Sequence, residues 1–146
     1  MCRDGPQSFD DASMGESAVI AGMGSFRIDA DIGNPSGIGA RQIIRNVLVD
    51  TGAELSCFTA YVLDAVGIVR GKQLLFRQAD GRVLVRWTGS GIVYAANTYA
   101  TDDLVFGEPG DLVLLGARSL EGLNVRIDPI AKQLIDAGPM PMAAAC

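Results

Sequence analysis

The segment Ile43–Ala53 has the sequence IIRNVLVDTGA, an aliphatic run that ends in an acid, a hydroxyl and a glycine. β-Branched and aliphatic residues favour a strand, which the pattern predicts from about Gln42 to Val49. This strand delivers Asp50 into a tight turn. A carboxylate is rarely buried unless it is paired or functional, so an acid at this position needs a physical reason.

The composition limits the kinds of protein that the chain can be. Its 146 residues fit one domain, and 49% hydrophobic with 20% charged residues is typical of a folded protein. A net charge of −5, without any dense Lys/Arg cluster, argues against nucleic-acid binding. No apolar run approaches the roughly 20 residues that span a bilayer, and Met1–Gly15 lacks the apolar core of a signal peptide. We therefore expect a cytoplasmic protein without a membrane partner.

The missing residue types exclude several chemistries. The chain contains no histidine, which removes His-based triads, Cys–His nucleophiles and His-ligated metals. Its three cysteines have no spacing typical of a zinc site or a disulfide framework. The pattern assigns four acids to turns, and their spacing does not match that of a calcium-binding loop. These acids are Asp102, Asp103, Glu108 and Asp111. No metal and no cofactor is predicted.

The pattern along the chain predicts residues 1–17 as a flexible leader, 18–137 as the domain and 138–146 as a flexible tail. Besides the strand before Asp50, strands are predicted at 26–32, 55–58, 74–78, 82–88, 91–96, 99–101, 104–106, 112–115, 125–127 and 133–135. Short helices are predicted at 60–66 and 117–121. Many short strands with one or two short helices indicate an all-β barrel or closed sandwich.

Taken alone, Asp50-Thr51-Gly52 is compatible with an ordinary turn after a strand. Its context adds two further features in a fixed order. A hairpin is predicted around Ala79-Asp80-Gly81, because Asp-Gly between apolar runs favours a tight turn. Later, Leu114-Leu115-Gly116 forms an apolar pair plus glycine, followed by a short helix and a closing strand pair.

In these three features, over roughly residues 24–135, the sequence resembles the retropepsin-like aspartic proteases, the single-domain relatives of pepsin. The resemblance implies a closed acid-protease barrel acting as a two-fold homodimer, and an aspartic endopeptidase with peptide or protein substrates. It implies that Asp50, Thr51 and Gly52 form the catalytic turn. It also implies that substrate is bound by Ala53, by Glu54 and by a flap hairpin, whose tip residues are Ala79, Asp80 and Gly81.

The mechanism implied by the resemblance needs two carboxylates, one as base to activate water and one, protonated, as acid. Two close carboxylates cannot both ionise easily, so they share one proton. The chain contains a single Asp-Thr/Ser-Gly triplet. A working site therefore requires Asp50 from each of two subunits. The resemblance further implies that Thr51 hydrogen-bonds across the two-fold axis.

Some positions depart from the family's pattern or keep two interpretations. In the family, the acid at the position of Glu54 pairs with an arginine that directly follows the glycine of the second motif. Here Ala117 follows that glycine, Gly116, and the arginine comes one residue later. Either Glu54 pairs with Arg118, or the two charges are unrelated. Trp87 either walls a pocket or packs in the core, and the pattern favours the core. Cys57 is expected to be a small buried hydrophobe.

Two other functions remain open from the sequence. The same dimeric fold could bind peptides or a protein without hydrolysing them, because fold does not fix function. A plain structural β-barrel, in contrast, predicts a stable monomer. The closing segment 125–135 is either a dimer interface, as in the family, or an ordinary edge hairpin.

Overall fold

Residues 26–143, which a computed structural model describes, contain nine strands and two short helices. The strands are β1 (Arg27–Gly33), β2 (Gln42–Val49), β3 (Cys57–Thr59), β4 (Lys72–Arg77), β5 (Val83–Ala95), β6 (Thr98–Gly107), β7 (Leu114–Leu115), β8 (Val125–Asp128) and β9 (Gln133–Asp136), and the helices are α1 (Ala60–Ala65) and α2 (Ala117–Gly122). The predicted predominance of β-structure with two short helices is confirmed.

The two predicted flexible ends fall partly or wholly outside the described residues. The leader at 1–17 lies outside them, as do residues 144–146 of the tail. At the start of the tail, the carbonyl of Gly138 accepts a hydrogen bond from the Asn124 side chain at 2.9 Å. The domain bounds 18–137 stay a prediction.

The strand before Asp50 is found where the sequence predicts it, but it carries a bulge. The register between β1 and β2 shifts by one residue, and Asn46 adopts a φ of +59° there. The side chain of Asp29 holds this bulge by accepting the Asn46 amide at 3.1 Å. The bulge sets which side chains face inward, so that Val47 and Val49 are buried at the end of β2.

Six strands form a hydrogen-bonded ring. The strand order is β1-β2-β7-β3-β6-β5-β4, and β1 also pairs with β5, where Ile32 lies opposite Val93. That additional pairing closes the ring and leaves β4 outside it, attached to β5 alone. The closing segment forms a separate antiparallel sheet of β8 and β9, with Leu134 opposite Ile127. The sequence predicts these two strands.

Strands β5 and β6 are longer than predicted, because the predicted breaks after Thr88 and after Thr101 are wrong. Glycines in β5 do not end the strand; they make room for the segment that follows α1. A Cβ on Gly89 would lie 2.2 Å from the Val69 carbonyl oxygen, and a Cβ on Gly91 would meet Ile68 at 2.7 Å. Glycine within a strand here marks a close approach of another segment.

The core fills the ring, and its side chains come from most strands and both helices. The largest fully buried apolar residues are Ile32, Val47, Phe58, Leu63, Val93, Leu104 and Leu115. Several of them belong to strands beside Asp50. The strands that lead to Asp50 and lie beside it are therefore fixed by a close-packed core.

Helix α1 ends as the sequence predicts, at a glycine in the left-handed region. Gly67 has a φ of +82°, and its amide donates to the Asp64 carbonyl at 3.0 Å. The amide of Ile68 donates to the Leu63 carbonyl at 3.0 Å, which completes a Schellman motif. Among residues 26–143, no helix has the length and apolar character needed to cross a membrane.

Candidate active site

Asp50 lies directly after β2 in a turn that is fixed by backbone hydrogen bonds. Its amide donates to the Leu115 carbonyl at 3.0 Å, and its own carbonyl accepts the Ala53 amide at 3.2 Å. Its side-chain Oδ1 accepts the Gly52 amide at 2.9 Å. The carboxylate is half-buried rather than enclosed, so it remains open on one side. The turn holds this carboxylate in one orientation while leaving it accessible.

The other predicted residues of the turn differ in exposure. Thr51 and Glu54 are exposed, and Ala53 is half-buried. Within residues 26–143 the Thr51 hydroxyl makes no hydrogen bond. Gly52 is tightly placed, since a Cβ there would lie 3.2 Å from Oδ1 of Asp50.

The two-residue strand β7 lies between the strands on either side of the Asp50 turn. It runs parallel to β2, with Leu48 opposite Leu114 and Val49 opposite Leu115. It runs antiparallel to β3, with Cys57 opposite Leu114. The segment Leu114-Leu115-Gly116 thus meets Asp50-Thr51-Gly52 in space.

Gly116 lets the α2 segment approach the turn closely. A Cβ on Gly116 would lie 2.6 Å from the carbonyl oxygen of Leu55 and 2.9 Å from that of Ala53. Beyond it, the Ala117 amide donates to the Ala53 carbonyl at 2.8 Å, and the Arg118 amide donates to the Glu54 carbonyl at 3.0 Å. The first residues of α2 therefore hold Ala53 and Glu54 in place through backbone hydrogen bonds.

The side chain of Arg118 does not pair with Glu54. Its guanidinium lies 3.3 Å from Oδ1 of Asp102 and 3.6 Å from Oδ2 of Asp103. The interpretation that the Glu54 and Arg118 charges are unrelated is therefore the one that the structure supports. The two residues are joined only through their backbones.

A chain of buried polar groups lies beneath the turn, and its members are not among the site residues predicted from the sequence. Ser56 Oγ accepts the Gly116 amide at 2.9 Å and lies 2.6 Å from Ser119 Oγ. Ser119 Oγ in turn donates to Oδ2 of Asp102 at 3.0 Å. Asp102 is only 8% exposed and both serines are fully buried. We refer to Ser56, Ser119 and Asp102 as the buried relay.

The alternation in β6 contained a signal for this acid. Ala100, Asp102 and Leu104 are two residues apart, and all three side chains are buried. In a strand such residues share one face. The sequence prediction that Asp102 and Asp103 lie in a turn is wrong, because both belong to β6.

The predicted flap is the β4–β5 hairpin. Its loop closes through the Gln78 amide, which donates to the Arg82 carbonyl at 2.8 Å, and Gly81 adopts a φ of +90°. The side chain of Asp80 accepts from both the amide and the guanidinium of Arg82, at 2.9 and 2.8 Å. Among the described residues no hydrogen bond or ion pair joins Ala79, Asp80 or Gly81 to the Asp50 turn.

One side of the hairpin is apolar and open. Leu75 lies opposite Val85 in the ladder, and Trp87 and Val83 share their face. Their exposed fractions are 72% for Leu75, 46% for Val85, 40% for Trp87 and 47% for Val83. We call these four residues the flap face. The expectation that Trp87 packs in the core is wrong, because its strand extends past the ring with β4.

The opposite side of the hairpin is tied to the loop before β7. Arg86 donates to Asp111 through Nε at 2.7 Å and through a second nitrogen at 2.9 Å. Asp111 also accepts the Glu108 amide at 2.8 Å. The Arg86 hydrogen bonds lower the pKa of the Asp111 carboxyl and raise the pKa of Arg86 itself, although partial desolvation opposes both shifts.

Cys57 is half-buried in β3, and burial raises the pKa of its thiol to about 12, with a smaller contribution from Asp111. At neutral pH this thiol is protonated and a poor nucleophile. Cys57 therefore behaves as the apolar side chain that the sequence predicts.

Two further features have no part in the site. A concavity of about 470 Å³ is lined by Asp29, Asp31, Arg41 and Tyr94 among others, none of them from the Asp50 turn or the flap. No three Cys, Asp or Glu side chains within residues 26–143 are grouped to hold a metal ion.

The comparisons with known proteins add no relative: no protein-family model matches the chain, and no curated protein matches its sequence. The retropepsin-like resemblance thus stays a prediction from motifs.

Proposed function

We propose that two copies of this chain form a homodimeric, retropepsin-like aspartic endopeptidase to which each contributes Asp50. The observation that carries the proposal is the Asp50 turn itself. A half-buried carboxylate follows a core strand, its amide is held by Leu115, and its Oδ1 is oriented by the Gly52 amide. A carboxylate that is held in place yet accessible favours a catalytic role for Asp50 over a purely structural role in a turn.

The stoichiometry follows from the number of such turns. The chain has one Asp-Thr/Ser-Gly triplet, whereas water-mediated peptide hydrolysis by carboxylates needs two acidic groups. A two-fold axis beside the turn would bring one Asp50 from each subunit together. Thr51, whose hydroxyl is exposed in the single chain, would hydrogen-bond across that axis and keep the two turns in one plane. The closed acid-protease barrel is part of the same proposal.

The paired carboxyl groups share one proton in the resting site. The ionised group takes a proton from a bound water, and the water oxygen attacks the peptide carbonyl carbon. The protonated group gives its proton to the carbonyl oxygen, which yields a tetrahedral intermediate. The first carboxyl then gives its proton to the leaving nitrogen as the C–N bond breaks, and a hydroxyl of the intermediate gives its proton to the second carboxylate, so that the pair again shares one proton. The two titration steps belong to the pair rather than to either Asp50.

Substrate would lie between the turn and the flap. Ala53 and Glu54 would contact it from the side of the turn, and Ala79, Asp80 and Gly81 would cover it from the flap tip. The flap face, with four exposed apolar side chains, offers the surface against which substrate side chains can be desolvated. The reaction requires no cofactor, and a cytoplasmic location stays a prediction.

A binding module is the second candidate, because the flap face would serve peptide binding equally well without hydrolysis. The two functions differ in what Asp50 contributes. In the module, replacement of Asp50 leaves peptide affinity nearly unchanged and no cleavage is ever observed. Binding of pepstatin without turnover of any peptide would also favour the module.

The proposal is tested by Asp50→Asn, with peptide-library cleavage followed by mass spectrometry. This change keeps the size of the side chain and is expected to reduce cleavage by about 10²–10⁴-fold or more, the usual contribution of acid–base groups. Glu121→Gln is the matched control, because it removes an exposed carboxylate that makes no hydrogen bond or ion pair within residues 26–143. Cleavage that survives Asp50→Asn would overturn the proposal.

A further inference from the structure

The buried relay ends on the peptide group that holds Asp50. The amide of Gly116 and the carbonyl of Leu115 belong to one peptide unit, which is planar and trans. Ser56 Oγ accepts the amide at 2.9 Å, and the Asp50 amide donates to the carbonyl at 3.0 Å. Ser56 therefore holds this peptide plane through its amide, and the plane in turn holds the Asp50 amide through its carbonyl.

The chemistry of the groups fixes the direction of the hydrogen bonds along the relay. A backbone amide only donates, and an ionised carboxylate only accepts. Ser119 uses its one proton toward Oδ2 of Asp102, so it must accept from Ser56 across their 2.6 Å contact. The hydrogen bonds therefore run in one direction: the Gly116 amide donates to Ser56, Ser56 donates to Ser119, and Ser119 donates to the Asp102 carboxylate. Such a one-way chain that ends on a charge is strengthened by mutual polarisation.

The carboxylate at the end of the relay is itself well satisfied. Oδ1 of Asp102 accepts the Asp103 amide at 2.7 Å and lies 3.3 Å from the Arg118 guanidinium. Burial of a charge is unfavourable unless such partners are present. An asparagine could fill this place, but its NH₂ group would face either Ser119, which would reverse that hydrogen bond, or the Asp103 amide and Arg118, which are themselves donors.

We propose that Asp102 is a positioning residue for the Asp50 turn, acting through Ser119 and Ser56 on the Leu115–Gly116 peptide plane. The proposal rests on the proposed protease function for its kinetic consequence, but its structural content does not. Asp102 does not touch substrate. It keeps the plane from rotating, and so keeps the Asp50 carboxylate at the height and angle that a partner carboxylate requires.

The first experiment uses the wild-type protein and NMR, so that no variant has to fold. The hydroxyl protons of Ser56 and Ser119 are expected to exchange with water slowly enough to give resonances, since both are buried and bonded. The Gly116 and Asp50 amides are expected to be strongly protected. Absent hydroxyl resonances together with rapid exchange of the Gly116 amide would overturn the relay, whether or not the protein cleaves peptides.

The second experiment compares Asp102→Asn and Ser119→Ala with Asp103→Asn. Asp103→Asn is the matched control, because it removes the neighbouring charge beside Arg118 without touching the relay. Since a small misplacement of a reacting group costs rate rather than affinity, the first two variants are expected to lower kcat by about tenfold or more while KM changes less than about twofold. The control is expected to leave both values within about twofold.

The outcomes separate this proposal from the proposed function. If the wild type cleaves peptides and folded Asp102→Asn behaves as Asp103→Asn does, the positioning role is wrong and the protease function stands. If the wild type cleaves nothing, the protease function fails, and exchange at the Gly116 and Asp50 amides in the variants still decides the relay. Unchanged protection of both amides in folded Ser119→Ala would contradict it.

Discussion

Arg86 and Asp111 form a bidentate ion pair, with nitrogen–oxygen distances of 2.7 and 2.9 Å. Side-chain exposure is 14% for the arginine and 20% for the acid, so the pair is largely shielded from water. It joins the flap strand β5 to the loop that leads into β7. Because β7 holds the Asp50 amide, the pair connects the two predicted parts of the active site.

This ion pair is expected to make stability depend on acid pH. Hydrogen bonds from Arg86 lower the pKa of Asp111 in the folded chain below its ordinary value of 3.8. The pair therefore stabilises the fold fully above that ordinary value, and the contribution is lost as the pH falls through the folded-state pKa. Asp111→Asn should lower the free energy of unfolding by about 1–3 kcal/mol at pH 7, and by much less at about pH 2.

Urea denaturation of wild type and Asp111→Asn across this pH range measures the difference. Asp80→Asn is the control, because its partner Arg82 is 72% exposed and exposed pairs contribute only about 0–1 kcal/mol. A constant difference between wild type and Asp111→Asn from pH 7 to about pH 2 would contradict the assignment.

Gly116→Ala is expected to destabilise the fold through steric conflict. The new methyl would meet backbone atoms of Leu55 and Ala53 within 3 Å, and backbone cannot move aside as a flexible side chain can. We expect a loss of about 1–3 kcal/mol in the free energy of unfolding, together with lower peptidase activity. Gly71→Ala is the control, since its Cβ would meet only the Thr88 carbonyl at an ordinary 3.5 Å. Equal stability of the two variants, measured by thermal unfolding, would refute the close approach.

Mixing wild-type and Asp50→Asn subunits tests whether the site is shared between two chains. If each site needs two intact Asp50 residues, activity falls as the square of the wild-type fraction once the subunits have exchanged. At equal amounts of the two chains, about one quarter of the dimers are fully wild type. Activity that is proportional to the amount of wild type would instead indicate that one chain suffices.

The flap face is expected to contribute to substrate affinity and little to folding. Leu75 is 72% exposed, so Leu75→Ser should change the free energy of unfolding by no more than about 0.5 kcal/mol. The same change removes apolar surface that substrate would cover, and KM should rise about tenfold. Ile38→Ser is the control, because Ile38 is 77% exposed but lies before β2, at the end away from Asp50. Equal KM values for the two variants would exclude the flap face from the site.

The sequence predicts the elements around Asp50 well because their signals are local. An aliphatic run gives β2, an Asp-Gly pair gives the flap turn, and a glycine at the C′ position ends α1. These features depend on propensity and turn chemistry within a few residues. No local signal in the sequence predicts the contact between β7 and the Asp50 turn.

The sequence does not predict features that arise from distant segments packing together. Glycines at 89 and 91 are typical of a break, yet they lie within β5 because Ile68 and Val69 pass close by. Asp102 is typical of a turn, yet it lies in β6 because Ser119 and Arg118 satisfy its charge. Trp87 is typical of a core residue, yet β4 and β5 extend past the ring and leave it exposed. In each case tertiary context outweighs local preference.

The insertion of β7 between β2 and β3 has a consequence for the order of folding. Leu48 and Leu114 lie opposite each other, although 66 residues separate them along the chain (114 − 48). Pairing across such a distance requires closure of a long loop, which is slow compared with formation of the local β4–β5 hairpin. We therefore expect the Asp50 turn to acquire this support late, after the β4–β5 hairpin has formed. An incomplete chain that ends before Leu115 would carry Asp50 without the strand that holds its amide, so under the proposed function such a chain is expected to be inactive.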